Sequence, residues 1–228
     1  MNALLGEDTS LLLKKYFEVF LHPFRTQSAL RRARIEKQNS ISKIGGTNNQ
    51  PIDLSLTETT SISWLFAIFR TFYTVVSIKF GYHILNMIDS DSKLKTLFLP
   101  NIKFSGQRVV LLLVLLEIVL FPILVYFYVK LSTVVIRFFS DLFETNTPEE
   151  TIEQTISHSL SANILLIVPI FGGFLRLLMT SVHLFAGLRN NFGMTRMQSS
   201  VIMISPLFML VGFVLINFLY LIMVFSLL

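Results

Sequence analysis

Long apolar runs alternate with shorter polar stretches along the chain, and the runs are too long for the helices of a small soluble domain. The most continuous, residues 109–129, reads VVLLLVLLEIVLFPILVYFYV and is broken only by Glu117. A helix crosses a bilayer with about 20 apolar residues, so this run predicts a transmembrane span. Pro122 predicts a kink within it. Lys130 marks its end, and Leu131–Phe139 reads as an extension of the same helix into the interface. The last run, 199–225, predicts a second such span and holds Pro206, Gly212 and Asn217. Two more runs carry a polar stripe. In 61–86 it is Arg70, Thr74, Ser77 and Gly81, with Lys79 placed to snorkel; in 160–187 it is Pro169, Gly173, Arg176, Thr180, His183 and Gly187. A one-sided stripe suits a helix whose polar face meets other helices and whose apolar face meets lipid. The Pro169-Ile-Phe-Gly172-Gly173 break leaves 160–187 open to a second reading, as two short membrane helices. The pattern therefore predicts an all-α polytopic transmembrane bundle of four to five membrane helices.

Ahead of the spans, Leu12, Leu13, Tyr16, Phe17, Phe20, Leu21 and Phe24 recur at three-and-four spacing, with Lys14, Lys15, Glu18 and His22 on other faces. This predicts an amphipathic helix over 11–24. It is too short to span, so it is expected in the membrane interface, Phe17 and Phe20 in lipid and Lys14, Lys15 and Arg25 among the headgroups. The competing reading is a helix packed on a protein partner. Residues 25–38 are basic, with Arg25, Arg31, Arg32, Arg34 and Lys37, and are expected to lie solvated near anionic lipid. Residues 39–60, with Gly45-Gly46, Asn48-Asn49 and Pro51, read as a polar linker. The chain thus divides into a cytoplasmic segment, 1–60, and a transmembrane domain, 61–228. Residues 88–107 form a polar connection. Thr147-Pro148-Glu149-Glu150 predicts a helix start with Thr147 as cap and Pro148 at the first helical position, and Thr195 with Gln198 predicts a second capping box.

Composition points the same way. Apolar residues make up 53% and charged residues 14% of the chain, against about 25% charged in soluble domains. The mean hydropathy is +0.65. There is no cysteine, which excludes disulfides and thiolate chemistry. The net charge is +5, and eight of the 19 Lys and Arg fall in the first 43 residues. With apolar runs this long, the excess reads as the positive-inside signal of a cytoplasmic N-terminus, not as a nucleic-acid footprint. The first residues do not read as a secretory signal peptide. Four crossings would place Arg189 and Arg196 outside and the C-terminus inside; five would reverse both. Segment lengths favour four and the charge rule favours five.

The ionisable residues inside apolar runs are the candidate chemistry. Glu117 is the one acid deep in a span, and Arg70 and Arg176 are its natural partners. Such a group serves either as an ion or proton relay or as a structural pair that fixes helix register. His183 lies on the polar face of its span and is expected to hydrogen-bond in the interior, as Asn217 could in the last span. No histidines share metal-ligand spacing, and neither a phosphate loop nor a nucleophile elbow is present. The chain is therefore expected to be non-enzymatic, with no cofactor and no metal.

The pattern of residues 110–215 has a long apolar span, an amphipathic segment, a helix broken by Pro and Gly, a Gly-Leu pair, a short loop and a capped final span. Here it runs as EETIEQTISHSLSANILLIVPIFGGFLRLLMTSVHLFAGLRNNFGMTRMQSSVIMISPLFML. It resembles the Yip1 family of multi-pass membrane proteins, and KKYFEVFLHPF looks like the start of bacterial members. The resemblance implies five spans, no catalytic residues and a role in binding partners; eukaryotic relatives bind small GTPases in vesicle traffic. A scaffold or partner-binding protein of the bacterial inner membrane is then the leading expectation, in contact with the lipid bilayer and with another membrane protein or a second copy. The alternative is a transporter or channel subunit using Glu117 with Arg70 and Arg176.

Overall fold

A computed structural model of the chain describes residues 2–40, 53–90, 107–145 and 148–227. All regular elements among them are helical: α1 (Asn2–Leu21), α2 (Pro23–Ser40), α3 (Leu56–Ser90), α4 (Gln107–Leu142), α5 (Glu149–Leu160) with a 3₁₀ continuation (Ser161–Ile167), α6 (Gly172–Ala186), a π-helical turn (Gly187–Asn191) and α7 (Arg196–Leu227). Three are long and apolar enough to cross a membrane, over Leu56–Gly81, Leu112–Leu142 and Arg196–Phe225. The Thr147 cap, most of the 39–60 linker and most of the 88–107 connection lie outside the described residues.

The expected span 160–187 is not one helix. The helix starts at Glu149, tightens into 3₁₀ geometry at Ser161 and stops at Val168, which is extended at φ −71° and ψ 118°. The residue before a proline is pushed out of the helical region by the ring of that proline, and here the proline is Pro169. After the turn, α6 has 15 residues, about 22 Å at 1.5 Å per residue, short of the ~30 Å hydrocarbon core. It runs back beside α5, so that α5, the 3₁₀ segment and α6 form a helical hairpin. Two glycines permit the close approach. A Cβ on Gly187 would overlap the Thr155 side chain, and one on Gly172 would overlap the Leu165 carbonyl oxygen. At the tip, Ile170 adopts φ 64°, a left-handed conformation costly for a β-branched residue.

Helices α3 and α4 pack antiparallel, because Trp64 reaches Ile118, Arg70 reaches Glu117, and a cavity of about 570 Å³ brings Leu56 and Trp64 beside Thr133 and Pro122. The start of α3, the end of α4, both ends of the hairpin and the start of α7 therefore gather at one end of the molecule. The core sits there. One cluster joins Val135, Ile136 and Phe139 of α4 to Ile152 and Ile156 of α5, Leu188, Met194 and Ile202. Another joins Tyr16 and Val19 of α1 to Leu54, Ile62 and Phe66. Away from this end cover falls off: 28%, 11% and 0% of the apolar stretches of α3, α4 and α7 are buried.

The N-terminal helix differs from expectation in extent and in its contacts. It begins at Asn2 and is interrupted at His22, where Pro23 starts α2. Tyr16 and Val19 are fully buried against the protein, whereas Leu11, Phe17, Leu21 and Phe24 are exposed. Helix starts are partly as read. Gln198 Oε1 accepts from the Thr195 N–H at 2.9 Å while Thr195 Oγ1 accepts from the Gln198 N–H at 3.3 Å. Ser55 and Glu58 form the same reciprocal box ahead of α3, a signal the sequence carried and the reading passed over. Pro148 sits at the cap position of α5, one residue earlier than its expected place inside the helix.

Candidate functional site

Two prolines and one break open the helical hydrogen-bond ladder, and side chains close each gap. Pro122 has no N–H, so the Ile118 carbonyl four residues earlier loses its helical donor; the Trp64 indole donates to it at 3.0 Å. Pro206 frees the Ile202 carbonyl in the same way, and the Ser205 hydroxyl donates to it at 2.8 Å. Where α5 becomes 3₁₀, the Leu160 carbonyl accepts from Tyr16 and Ser63, both at 3.2 Å. Burial pushes the Tyr16 hydroxyl pKa upward, against the opposing Ser63 hydrogen bond. At the break itself the Tyr73 hydroxyl lies 3.2 Å from the Leu166 carbonyl and 3.4 Å from that of Val168. In hydrocarbon an unpaired backbone carbonyl is expensive, and irregular backbone is tolerated only where protein satisfies it. The hairpin meets that condition through α1 and α3.

The charged residues meet beside this hairpin. Arg70 Nη1 donates to Glu117 Oε1 at 2.8 Å, with the two side chains 34% and 37% exposed. Thr74 Oγ1 donates to the Arg70 carbonyl at 2.8 Å. Arg176 of α6 lies within electrostatic range of both Arg70 and Glu117 but forms no ion pair with either. One carboxylate thus faces two guanidiniums.

The other sequence-derived residues lie elsewhere. His183 is buried and stacks on Phe20 of α1, with ring centroids 6.3 Å apart and planes 19° apart. Pro169, Gly172 and Gly173 form the hairpin turn with Ile170, which is 93% exposed. Asn217 stands on an uncovered stretch of α7, and among the described residues its amide donates only to the Phe213 carbonyl of its own helix, at 2.7 Å. Lys14, Phe17 and Arg25 are exposed, and Lys15 and Phe20 half-buried. Among the described residues no three His, Asp or Glu side chains gather as metal ligands would.

Sequence reasoning missed Tyr16, Ser63, Trp64 and Tyr73 as the donors that hold the breaks. Pro122 announced that a carbonyl had been freed; nothing in the linear pattern said which side chain would reach it. It also missed His158, fully buried with Nε2 3.8 Å from Asp53.

No protein-family model, curated protein or solved structure matches the chain.

Proposed function

We propose that this chain is a non-enzymatic multi-pass membrane protein of the Yip1-like kind, a scaffold that works by binding a partner within the bilayer. The observation that carries this reading is α7. Beyond Ser205 it leaves the packed end with no cover from the other described residues. In an apolar helix an amide such as Asn217 favours association, because a partner helix can complete its hydrogen bonds. A second copy of the chain is the occupant this favours, since two such helices bring two Asn217 amides together across a two-fold axis.

In the same reading α3, α4 and α7 cross the membrane, and the hairpin enters and leaves by one face with Ile170, Phe171 and Phe174 in the hydrocarbon. This arrangement answers the charge rule better than four full crossings do, and as well as five. It puts Arg189 and Arg196 on the side of the N-terminal segment, which is cytoplasmic by its basic residues, and places α1 at that surface with Phe17 and Leu21 toward lipid. The bacterial inner membrane is the compartment that the N-terminal sequence pattern suggests.

The test uses the absence of native cysteine. Single cysteines are placed at successive positions from 207 to 223 and oxidised in native membranes. Disulfides to a second copy, recurring with the Asn217 face, support the reading. Adducts to a different protein replace the second copy by a heterologous partner. No adduct at any position leaves α7 facing lipid alone and refutes the assembly. The 2.8 Å Arg70–Glu117 pair favours one other reading, ion movement; Glu117→Gln in reconstituted vesicles abolishes flux if that reading holds.

A further inference from the structure

The basic residues of α2 have a protein wall beside them. Asn190 Nδ2 donates to the Phe24 carbonyl at 3.0 Å and to Ser28 Oγ at 3.1 Å. Arg34 Nη2 donates to the Asn191 carbonyl at 2.7 Å and to the Oδ1 of the same residue. These bonds lay α2 along the turn after α6. Arg31 borders two openings between them, each of about 430 Å³. Arg31, Arg34, Gln38, Thr145 and Asn191 line the first; Ser28, Arg31, Arg32, Arg189 and Asn190 line the second.

Four guanidiniums converge on this cleft. Among the described residues none of Arg31, Arg32 and Arg189 is ion-paired with a carboxylate, and Arg34 is held by neutral acceptors. Burial, and then the charge of Arg31, push the Arg34 pKa down; Glu150 is the acid within reach that opposes them. Asn191 is 2% exposed, and its Nδ2 has no acceptor among the described residues. Gly193, at φ +78°, leaves the space that the Arg31 guanidinium occupies: a Cβ there would come within 2.6 Å of it. The cleft is thus rich in fixed donors and short of negative charge. It opens where α4 has ended and α7 begins, the headgroup level of two membrane-crossing helices.

We propose that this cleft binds a phosphate-bearing anion, either the headgroup of an anionic phospholipid or a free phosphate compound. Arg34, anchored on one edge by Asn191, and Arg31 present planar forks of the kind that take phosphate oxygens bidentately. An anion also relieves the mutual repulsion of the four cations. The site stands whether or not α7 finds a partner.

The full chain is tested with two probes: inorganic phosphate, by titration calorimetry in nonionic detergent, and lipid, by counting molecules retained from nanodiscs of phosphatidylglycerol or of phosphatidylcholine. Saturable phosphate binding assigns a free ligand. Selective retention of phosphatidylglycerol without phosphate binding assigns a headgroup held with its chains. In either case Arg31→Gln with Arg189→Gln weakens binding by at least about tenfold, the scale of one lost charge-assisted contact. Arg25→Gln with Lys37→Gln, removing the same charge outside the cleft, weakens it by less than about twofold, as expected for screened surface charge. Arg31→Lys, which keeps charge and fold but loses the fork, falls between them. Equal loss in the two doubles, or saturable binding of neither probe by the native chain, overturns the proposal.

Discussion

Trp64→Phe separates a structural hydrogen bond in the membrane from mere packing. The substitution removes the indole N–H that donates to the Ile118 carbonyl, which Pro122 has stripped of its helical donor. An unsatisfied buried carbonyl costs about 1–3 kcal/mol, and side-chain hydrogen bonds inside membranes are worth about 0.6–2 kcal/mol, so the expected loss is about 1–2 kcal/mol. Trp64 is 41% exposed, and lost packing adds to that figure. A double-mutant cycle removes this part. Pro122→Ala restores the N–H at position 122, and the Ile118 carbonyl recovers a donor within its own helix. In that background Trp64→Phe should cost no more than its packing share, roughly 0.5 kcal/mol, leaving a coupling of about 1 kcal/mol. Denaturant unfolding in mixed micelles, followed by far-ultraviolet circular dichroism, is the assay, since the substitution deletes the one tryptophan of the chain. Equal costs of Trp64→Phe with and without Pro122 would refute the reasoning.

The remaining expectations are simpler. Glu117→Ala leaves Arg70 and Arg176 facing each other without an acid and should destabilise on the order of 3 kcal/mol. Arg70→Met leaves one acid for one arginine and should cost less than half of that in the same unfolding assay; the reverse order would show that Arg176 lies outside the group. Gln27 is fully buried with neither amide atom paired among the described residues, so Gln27→Met should raise stability by about 1 kcal/mol, and a fall in melting temperature would reveal an acceptor or donor at that site. A cysteine at Ser40 should be shielded from an impermeant thiol reagent in intact cells while a reporter after Leu228 reads external, as three crossings require; two ends on one side would rule out three crossings. Phe17→Glu with Leu21→Glu should speed proteolysis of residues 1–38 in inverted vesicles without loss of membrane integration, whereas unchanged cleavage would mean that protein contacts alone hold α1.

The sequence made the apolar helices legible because their length is itself the signal: the runs 109–129 and 199–225 fall inside α4 and α7. It also pointed to Pro169 and the two glycines as a break. Whether a broken helix crosses or turns back is decided by tertiary contacts, here Gly187 against Thr155 and Tyr73 against Leu166, and periodicity carries no trace of them. The N-terminal helix shows the same limit. Its apolar residues are enough for two surfaces, and Tyr16 and Phe17, adjacent in sequence, fall on different ones because α3 and the hairpin claim the first. The charged trio was visible as three lone ionisable residues in apolar runs; its geometry, a close pair with Arg176 at a distance, required the fold.

The direction of the bonds that close the backbone gaps bears on how the chain is made. Tyr16, Ser63, Trp64 and Tyr73 are donors, and the carbonyls of Ile118, Leu160, Leu166 and Val168 are their acceptors. Each of these four donors precedes its acceptor in the sequence, whereas Ser205, which closes the gap at Pro206 within α7, follows its own. A ribosome feeding this chain into a membrane therefore completes α1 and the first half of α3 before it releases a segment that needs them. The irregular hairpin thus meets hydrogen-bond partners that are already made, and its packing is templated by earlier helices.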